Sequence, residues 1–184
     1  LSPLRVVGVE DGGFEAFKPG GRAFLCAARL TGDRVDWVKL DKIKVDGRDA
    51  TETLLKMLEG AEFDAVILGG VSFAGFNIID PHVVQGAFSV PVIVYTGDEP
   101  DTEATLAALK AHFSDWEERW SPVARLGNVY NTTMKKGAPP VYFEVAGCSR
   151  EWAAETLRAT ATLTRMPEPV RVAGLIARGL TGSA

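Results

Sequence analysis

The sequence predicts an α/β fold in which a mixed five-stranded sheet carries helices on both faces. Three observations lead there. The chain opens with three strand-like runs joined by turns and one loop, which implies an antiparallel meander. From Asp46 onward helices and strands alternate, which implies right-handed crossovers between parallel strands. Between the two patterns lies Ala65-Val66-Ile67-Leu68, an apolar run without alternation, as expected of a strand buried on both faces.

Leu4 to Val9 reads as a strand that ends in the acidic pair Glu10-Asp11 and breaks at Gly12-Gly13. Phe14 to Gly21 is a loop punctuated by Pro19-Gly20-Gly21. Arg22 to Leu30 is the second strand, Thr31-Gly32-Asp33 a hairpin turn, and Val35 to Val45 the third strand, with Trp37, Leu40 and Ile43 among its apolar members. Asp49 or Thr51 can cap a helix over Thr51 to Glu59, whose Leu54, Leu55 and Leu58 recur at helical spacing; Gly60 ends it. After the central strand, Gly69-Gly70 leads into an apolar loop that brings no charge until Asp80. Asp80 before Pro81 fits an N-cap for a helix over Pro81 to Phe88, and Pro91 opens a buried strand at Val92 to Tyr95. Asp101 to Phe113 is a helix on Leu106, Leu109 and Phe113, which Trp116 to Trp120 extends or restarts. Pro122 to Pro140 reads as a long loop or short hairpin, Val141 to Val145 as a late strand, and Arg150 to Ala161 as a helix with Trp152, Leu157 and Ala161 inward. A last helix runs from Pro167-Glu168-Pro169 to Arg178 and is expected to stop at Gly179. No repeat or linker divides the 184 residues, which read as one domain over 1–184.

Three strands followed by two strand–helix crossovers is the ribonuclease H-like order, with the first strand central and beside the fourth. Flavodoxin-like folds, by contrast, begin with alternating strand and helix. Val6 to Val9 is therefore expected to lie parallel to Val66 to Leu68. That places Glu10-Asp11 beside Gly69-Gly70, in the crevice at the carboxyl ends of the strands where ligands approach. Phe73 and Phe76 are expected to be buried over the sheet end, because their loop offers no charge to a ligand.

Composition narrows the function classes. The chain is 46% hydrophobic and 24% charged, which suits a soluble protein with a sizeable core. A net charge of -4 argues against a broadly basic nucleic-acid binder; Lys135-Lys136 reads as a solvated loop. Cys26 and Cys148 lie in apolar runs without metal-ligand spacing and read as reduced core thiols. With neither a signal peptide nor a membrane-length apolar run in the sequence, the expectation is a cytoplasmic protein with no membrane partner; oligomeric state is not encoded in any motif. The Asn131-Thr132-Thr133 sequon then carries no consequence. The two histidines, His82 and His112, suit solvated helix positions, and Ser72 lacks the strand–turn–helix setting of a hydrolase nucleophile. The glycines at 69, 70 and 75 make no nucleotide fingerprint, and Trp116 and Trp120 at helical spacing suit packing. That leaves Glu10 and Asp11, either a turn-forming pair or carboxylates grouped at a strand end to hold a metal.

Four words carry a resemblance: Val-Gly-Val-Glu-Asp-Gly-Gly-Phe at 7–14, Val-Asp-Gly-Arg-Asp-Ala-Thr at 45–51, Gly-Gly-Val-Ser-Phe-Ala-Gly-Phe-Asn-Ile-Ile-Asp at 69–80 and Pro-Glu-Pro-Val-Arg-Val-Ala at 167–173. Together they resemble the uncharacterised family known as domain of unknown function ninety-nine, itself related to endonuclease V, over nearly the whole chain. The resemblance implies the ribonuclease H-like fold. Endonuclease V cuts nucleic acid near deaminated bases with a divalent metal held by carboxylates. One acid ends its first strand, one follows the third and an aspartate ends the fourth. Glu10, with Asp11 adjacent, matches the first position, and Asp46 or Asp49 the second; at the third stands Gly69-Gly70.

The resemblance thus implies a site of Glu10, Asp11 and Asp49 that would hold Mg²⁺ or Mn²⁺ weakly and hydrolyse phosphodiester bonds slowly. Its alternative is a catalytically degraded relative that binds nucleic acid or another partner without cutting. Two other endonuclease features, a basic histidine-containing loop after the fourth strand and an aromatic–proline wedge after the third, are replaced by Val71 to Phe76 and Val45 to Ala50. Restoring an acid by Gly69→Asp is expected to strengthen Mn²⁺ binding.

Overall fold

A computed structural model describes residues 2–181. Strands β1 (Arg5–Asp11), β2 (Arg22–Thr31) and β3 (Arg34–Lys44) form the expected meander. Helix α1 (Ala50–Leu58) crosses to β4 (Ala65–Leu68), which lies parallel to β1 with Val6 opposite Ala65 and Val9 opposite Leu68. The loop that follows folds into a small hairpin, β5 (Ser72–Phe73) with β6 (Asn77–Ile78). Helix α2 (Pro81–Phe88) then crosses to β7 (Val92–Thr96), parallel to β4. The fold is ribonuclease H-like, with β1 inside the sheet between β2 and β4.

The sheet is wider than the five strands expected. After α3 (Thr102–His112) and α4 (Trp116–Leu126) come β8 (Tyr130–Thr132) and β9 (Val141–Ala146), which add antiparallel to β7 and give seven strands in the order β3-β2-β1-β4-β7-β9-β8. Two crossovers alone would leave the backbone groups along one side of β7 without partners, and β9 supplies them. Two helix ends also differ from expectation. Helix α4 continues through Pro122, because Arg119, Val123 and Leu126 bury one face of it; packing outweighs the missing N–H. After α5 (Arg150–Thr160), α6 (Glu168–Thr181) runs past Gly179, anchored by buried Val170, Ala173 and Ala177. A mid-helix glycine costs only about 1 kcal/mol, which such burial exceeds. Among the described residues no helix is long and apolar enough to cross a membrane.

One face of the sheet, with Val7, Val9, Val66, Leu68 and Val94, packs on Leu54 and Leu58 of α1 and Val84 of α2. On the other face, Val6, Ile67 and Ile93 meet Ala153 and Leu157 of α5 and Val170 of α6, while Cys26 and Ala28 meet Ala173 and Ala177. Helix α6 lies directly on the backbone of β1, and glycine is what permits it. A Cβ at Gly8 would stand 2.0 Å from the carbonyl carbon of Pro169, and one at Gly12 would stand 2.6 Å from the carbonyl oxygen of Ala177. Glu10 is the residue between them on that face, so its side chain emerges from beneath α6.

Glu144, on β9, is partly buried, and burial pushes its carboxyl from the ordinary 4.5 up to about 7. A carboxyl whose folded pKa is raised keeps its full contribution below pH 4.5 and loses it as pH rises through about 7. Glu144→Gln should therefore match the unaltered protein near pH 4.5 and exceed its stability at about pH 8 by roughly 1–3 kcal/mol. Urea unfolding of both proteins at the two pH values checks this; a constant difference would place the pH dependence elsewhere.

Candidate functional site

Strand β1 delivers Glu10 and Asp11 to the carboxyl end of the sheet, and strand alternation sends them to opposite faces. Glu10 turns toward α6 and β4. Its side chain is 18% exposed, and the nearest cationic group, Nη1 of Arg178, stands 3.9 Å from its Oε2. Burial first, and the charge of Asp11 second, push Glu10 up to about 8, against the opposing pull of Arg178. Asp11 turns toward the β5–β6 hairpin, where its Oδ2 accepts from the Ala74 N–H at 2.6 Å. Burial raises its pKa too, while the Ala74 N–H holds the shift back. Two carboxylates are thus held at one strand end, short of compensating positive charge.

Gly69 completes the crevice, its N–H donating to the Val9 carbonyl. A Cβ added there would lie 2.6 Å from both Cδ and Oε1 of Glu10. The carboxylate of Glu10 therefore fills the space from which a residue-69 acid would grow. That geometry modifies the expected outcome of Gly69→Asp. Glu10 sits at the end of a flexible chain and can move aside, but three crowded carboxylates repel. The metal-free variant should be roughly 1–3 kcal/mol less stable than the parent, and Mn²⁺ should restore more stability to it than to the parent. Thermal unfolding with and without Mn²⁺ decides; a variant that is destabilised and unresponsive to metal would show that Glu10 and a residue-69 acid cannot share a cation.

Asp49 stands apart from this pair. It occupies the N-cap position of α1 but makes no side-chain cap; its Oδ1 accepts from the Lys44 N–H at 3.1 Å and from Nδ2 of Asn77 at 2.7 Å. The capping role has passed to fully buried Asn77, whose Oδ1 accepts from the Ala50 N–H at 3.0 Å. Asp46, at a positive φ of 54°, accepts the Phe76 N–H at 2.9 Å. Both aspartates fasten the β5–β6 hairpin to the turn between β3 and α1. Among the described residues no three or more acidic, histidine or cysteine side chains converge as a metal-holding group.

Asp80 caps α2 through the N–H groups of His82 and Val83, as its place before Pro81 predicts, and it also pairs with Arg125. Phe73 is buried, while Phe76 is half-buried and stands edge-on to Phe113 at 5.5 Å.

A buried guanidinium holds this corner. Nη1 of Arg119 donates toward the carbonyls of Asp46, Gly47 and Phe76, each at 2.9 Å, its Nε donates to Asp115 at 2.9 Å, and its plane covers the Phe113 ring at 4.2 Å.

Sequence reasoning missed Arg178, since the contact between β1 and α6 joins residues 168 apart, as in the bond from the Gly13 N–H to the Thr181 hydroxyl. It also missed the cleft beside the acidic pair. This is an open cavity of about 660 Å³ whose walls include the loop after β1, the start of β2 and the end of α6.

The profile of a family described as endonuclease dU matches residues 2–181. A protein designated UPF0215 from Methanothermobacter thermautotrophicus is 33% identical over 184 residues, covering 98% of this chain and 89% of its own length. Another from Thermococcus gammatolerans is 36% identical over 188 residues, covering 98% and 94%. Among solved structures, a protein of unknown function from Archaeoglobus fulgidus superposes with a TM-score of 0.84 at 25% identity, covering 96% of this chain and 98% of that one. Endonuclease V of Ciona intestinalis, in complex with a 24mer DNA containing an inosine followed by a ribo-adenosine, gives 0.64 at 14% identity, covering 97% and 86%. At that identity the likeness concerns the fold alone.

Proposed function

The chain belongs to the endonuclease dU family, and on that premise we propose that it is an endonuclease V-like nuclease that cuts nucleic-acid phosphodiester bonds slowly, next to deoxyuridine, with a divalent cation held at Glu10 and Asp11. The observation that carries the reading is the pair itself: two partly buried carboxylates at the end of β1, each made a weaker acid by its burial, with no cationic group nearer to Glu10 than Arg178 at 3.9 Å. Carboxylates are the donors a hard cation takes; because Glu10 and Asp11 leave β1 toward opposite faces, one cation would reach both only just beyond the strand end. Mg²⁺ is commonly bound through one or two carboxylates, with water and substrate phosphate filling the other positions. When bound, the cation would supply an activated water and neutralise charge at the phosphoryl oxygens.

The chain's own residues have separable tasks. Glu10 supplies the main anionic oxygen and must release its proton to do so, so cation affinity rises as pH rises toward about 8. Asp11, oriented by the Ala74 N–H, keeps one oxygen free. Arg178 faces the place where a phosphate would enter and offsets the repulsion between substrate and acids. Asp49 shapes the hairpin, and the missing acid at Gly69 accounts for slow turnover. The family name supports deoxyuridine as the recognised lesion.

The test uses oligonucleotides carrying one deoxyuridine, one inosine or neither, incubated with Mg²⁺ or Mn²⁺. Cation-dependent cutting near deoxyuridine is the expected result. Binding without cutting at every cation concentration would instead identify a degraded relative that recognises nucleic acid without hydrolysing it.

A further inference from the structure

We propose that the cleft beside the acidic pair seats the phosphate backbone of one nucleic-acid strand, with Lys18, Arg22 and Arg178 each taking a phosphate. The identity of the partner rests on the nuclease reading; the assignment of the surface does not follow from it. The cleft, about 660 Å³, opens directly off the site, because Gly12-Gly13 follows Asp11 and Arg178 borders both the cleft and Glu10. Three cations line it against one carboxylate, Glu15, in a chain whose net charge is -4. A local positive surface on an acidic protein is an electrostatic footprint for a polyanion.

The cations are also free to bind. Arg22 is exposed and has no ion-pair or side-chain hydrogen-bond partner among the described residues. Lys18 pairs only with exposed Glu15, at 3.0 Å; an exposed pair of this kind is worth less than about 1 kcal/mol and yields readily to a phosphate. Arg178 lies too far from Glu10 for a hydrogen bond and is half exposed. The cleft is open rather than enclosed and carries three cations on its walls, which suits the successive phosphates of a strand. The exposed ring of Phe14 on the wall offers a face on which an unpaired base can stack.

The test measures binding without cutting. A labelled single-stranded oligodeoxynucleotide of about 20 nucleotides with one deoxyuridine is titrated in EDTA, from about 50 to 200 mM salt, and followed by fluorescence anisotropy. Replacing Lys18→Gln together with Arg22→Gln should weaken binding about tenfold at low salt and make the plot of log affinity against log salt shallower by about 1.4, roughly 0.7 for each phosphate left without its cation. The remote pair Lys135→Gln with Lys136→Gln removes equal charge and should bind within about twofold of the parent. An unchanged affinity and slope in the cleft variant, or an equal loss in the remote one, overturns the proposal. Cleft-dependent binding by a protein that never cuts would sink the nuclease reading alone; cutting by a protein indifferent to Lys18 and Arg22 would sink this one alone.

Discussion

Replacing Arg119 by methionine lowers the unfolding free energy by roughly 3–5 kcal/mol, the range for breaking a buried charged network by removing one partner. Methionine keeps much of the stem's apolar volume, so the loss reports on the guanidinium. Without it, the carbonyls of Asp46, Gly47 and Phe76 lose a shared donor and the Asp115 carboxylate loses its nearest cation. Each buried acceptor left unpaired costs about 1–3 kcal/mol. Lysine at 119 should recover only part of this, since a single ammonium cannot reproduce the planar fork or its stacking on Phe113. Urea unfolding of the three proteins measures the difference. A loss under about 1 kcal/mol in the methionine variant would mean that water replaces the clasp at little cost.

Glu10→Gln is expected to reduce cation-dependent cleavage by more than about 100-fold, because even the outer partners of metal ligands cost roughly 10–100-fold when removed. Asp11→Asn should fall in the same range. Asp49→Asn separates two roles for that residue. With its carboxylate engaged by Asn77 and Lys44, the change should lower stability while leaving cleavage per folded molecule within about tenfold. If Asp49→Asn instead abolished cleavage in a folded protein, the β3–α1 turn would have to move toward Glu10 when nucleic acid binds. Calorimetry with Mn²⁺ on the same proteins, at about pH 6 and pH 8, separates ligand loss from damage to a later step. Affinity in the unaltered protein should rise across that interval as Glu10 gives up its proton.

The strand order around β1 was legible because it rests on local pattern: a meander by short turns, then an unalternating run at Ala65 to Leu68. The pairing of β9 on β7 was not, since Val141 to Val145 announces a strand but carries no mark of its neighbour. Pro122 misled because proline in a helix is penalised locally, whereas α4 is held by tertiary burial of Arg119 and Val123. At the site, Glu10 and Asp11 were readable from their place at a strand end. Asp49 looked equivalent, and only the buried amide of Asn77, 28 residues away, shows that its carboxylate is engaged elsewhere. Arg178 carried no local signal, and nothing in the sequence sets Lys18 and Arg22 beside the end of α6.

The lid that α6 forms over β1 has a consequence for the order of events in the cell. Arg178 is made 168 residues after Glu10, yet the two share one crevice. Until α6 is translated, Gly8 has nothing to pack against, Glu10 is bathed in water with an ordinary acidity, and the cleft lacks a wall. The crevice around Glu10 and the cleft beside it take shape together, once α6 is in place.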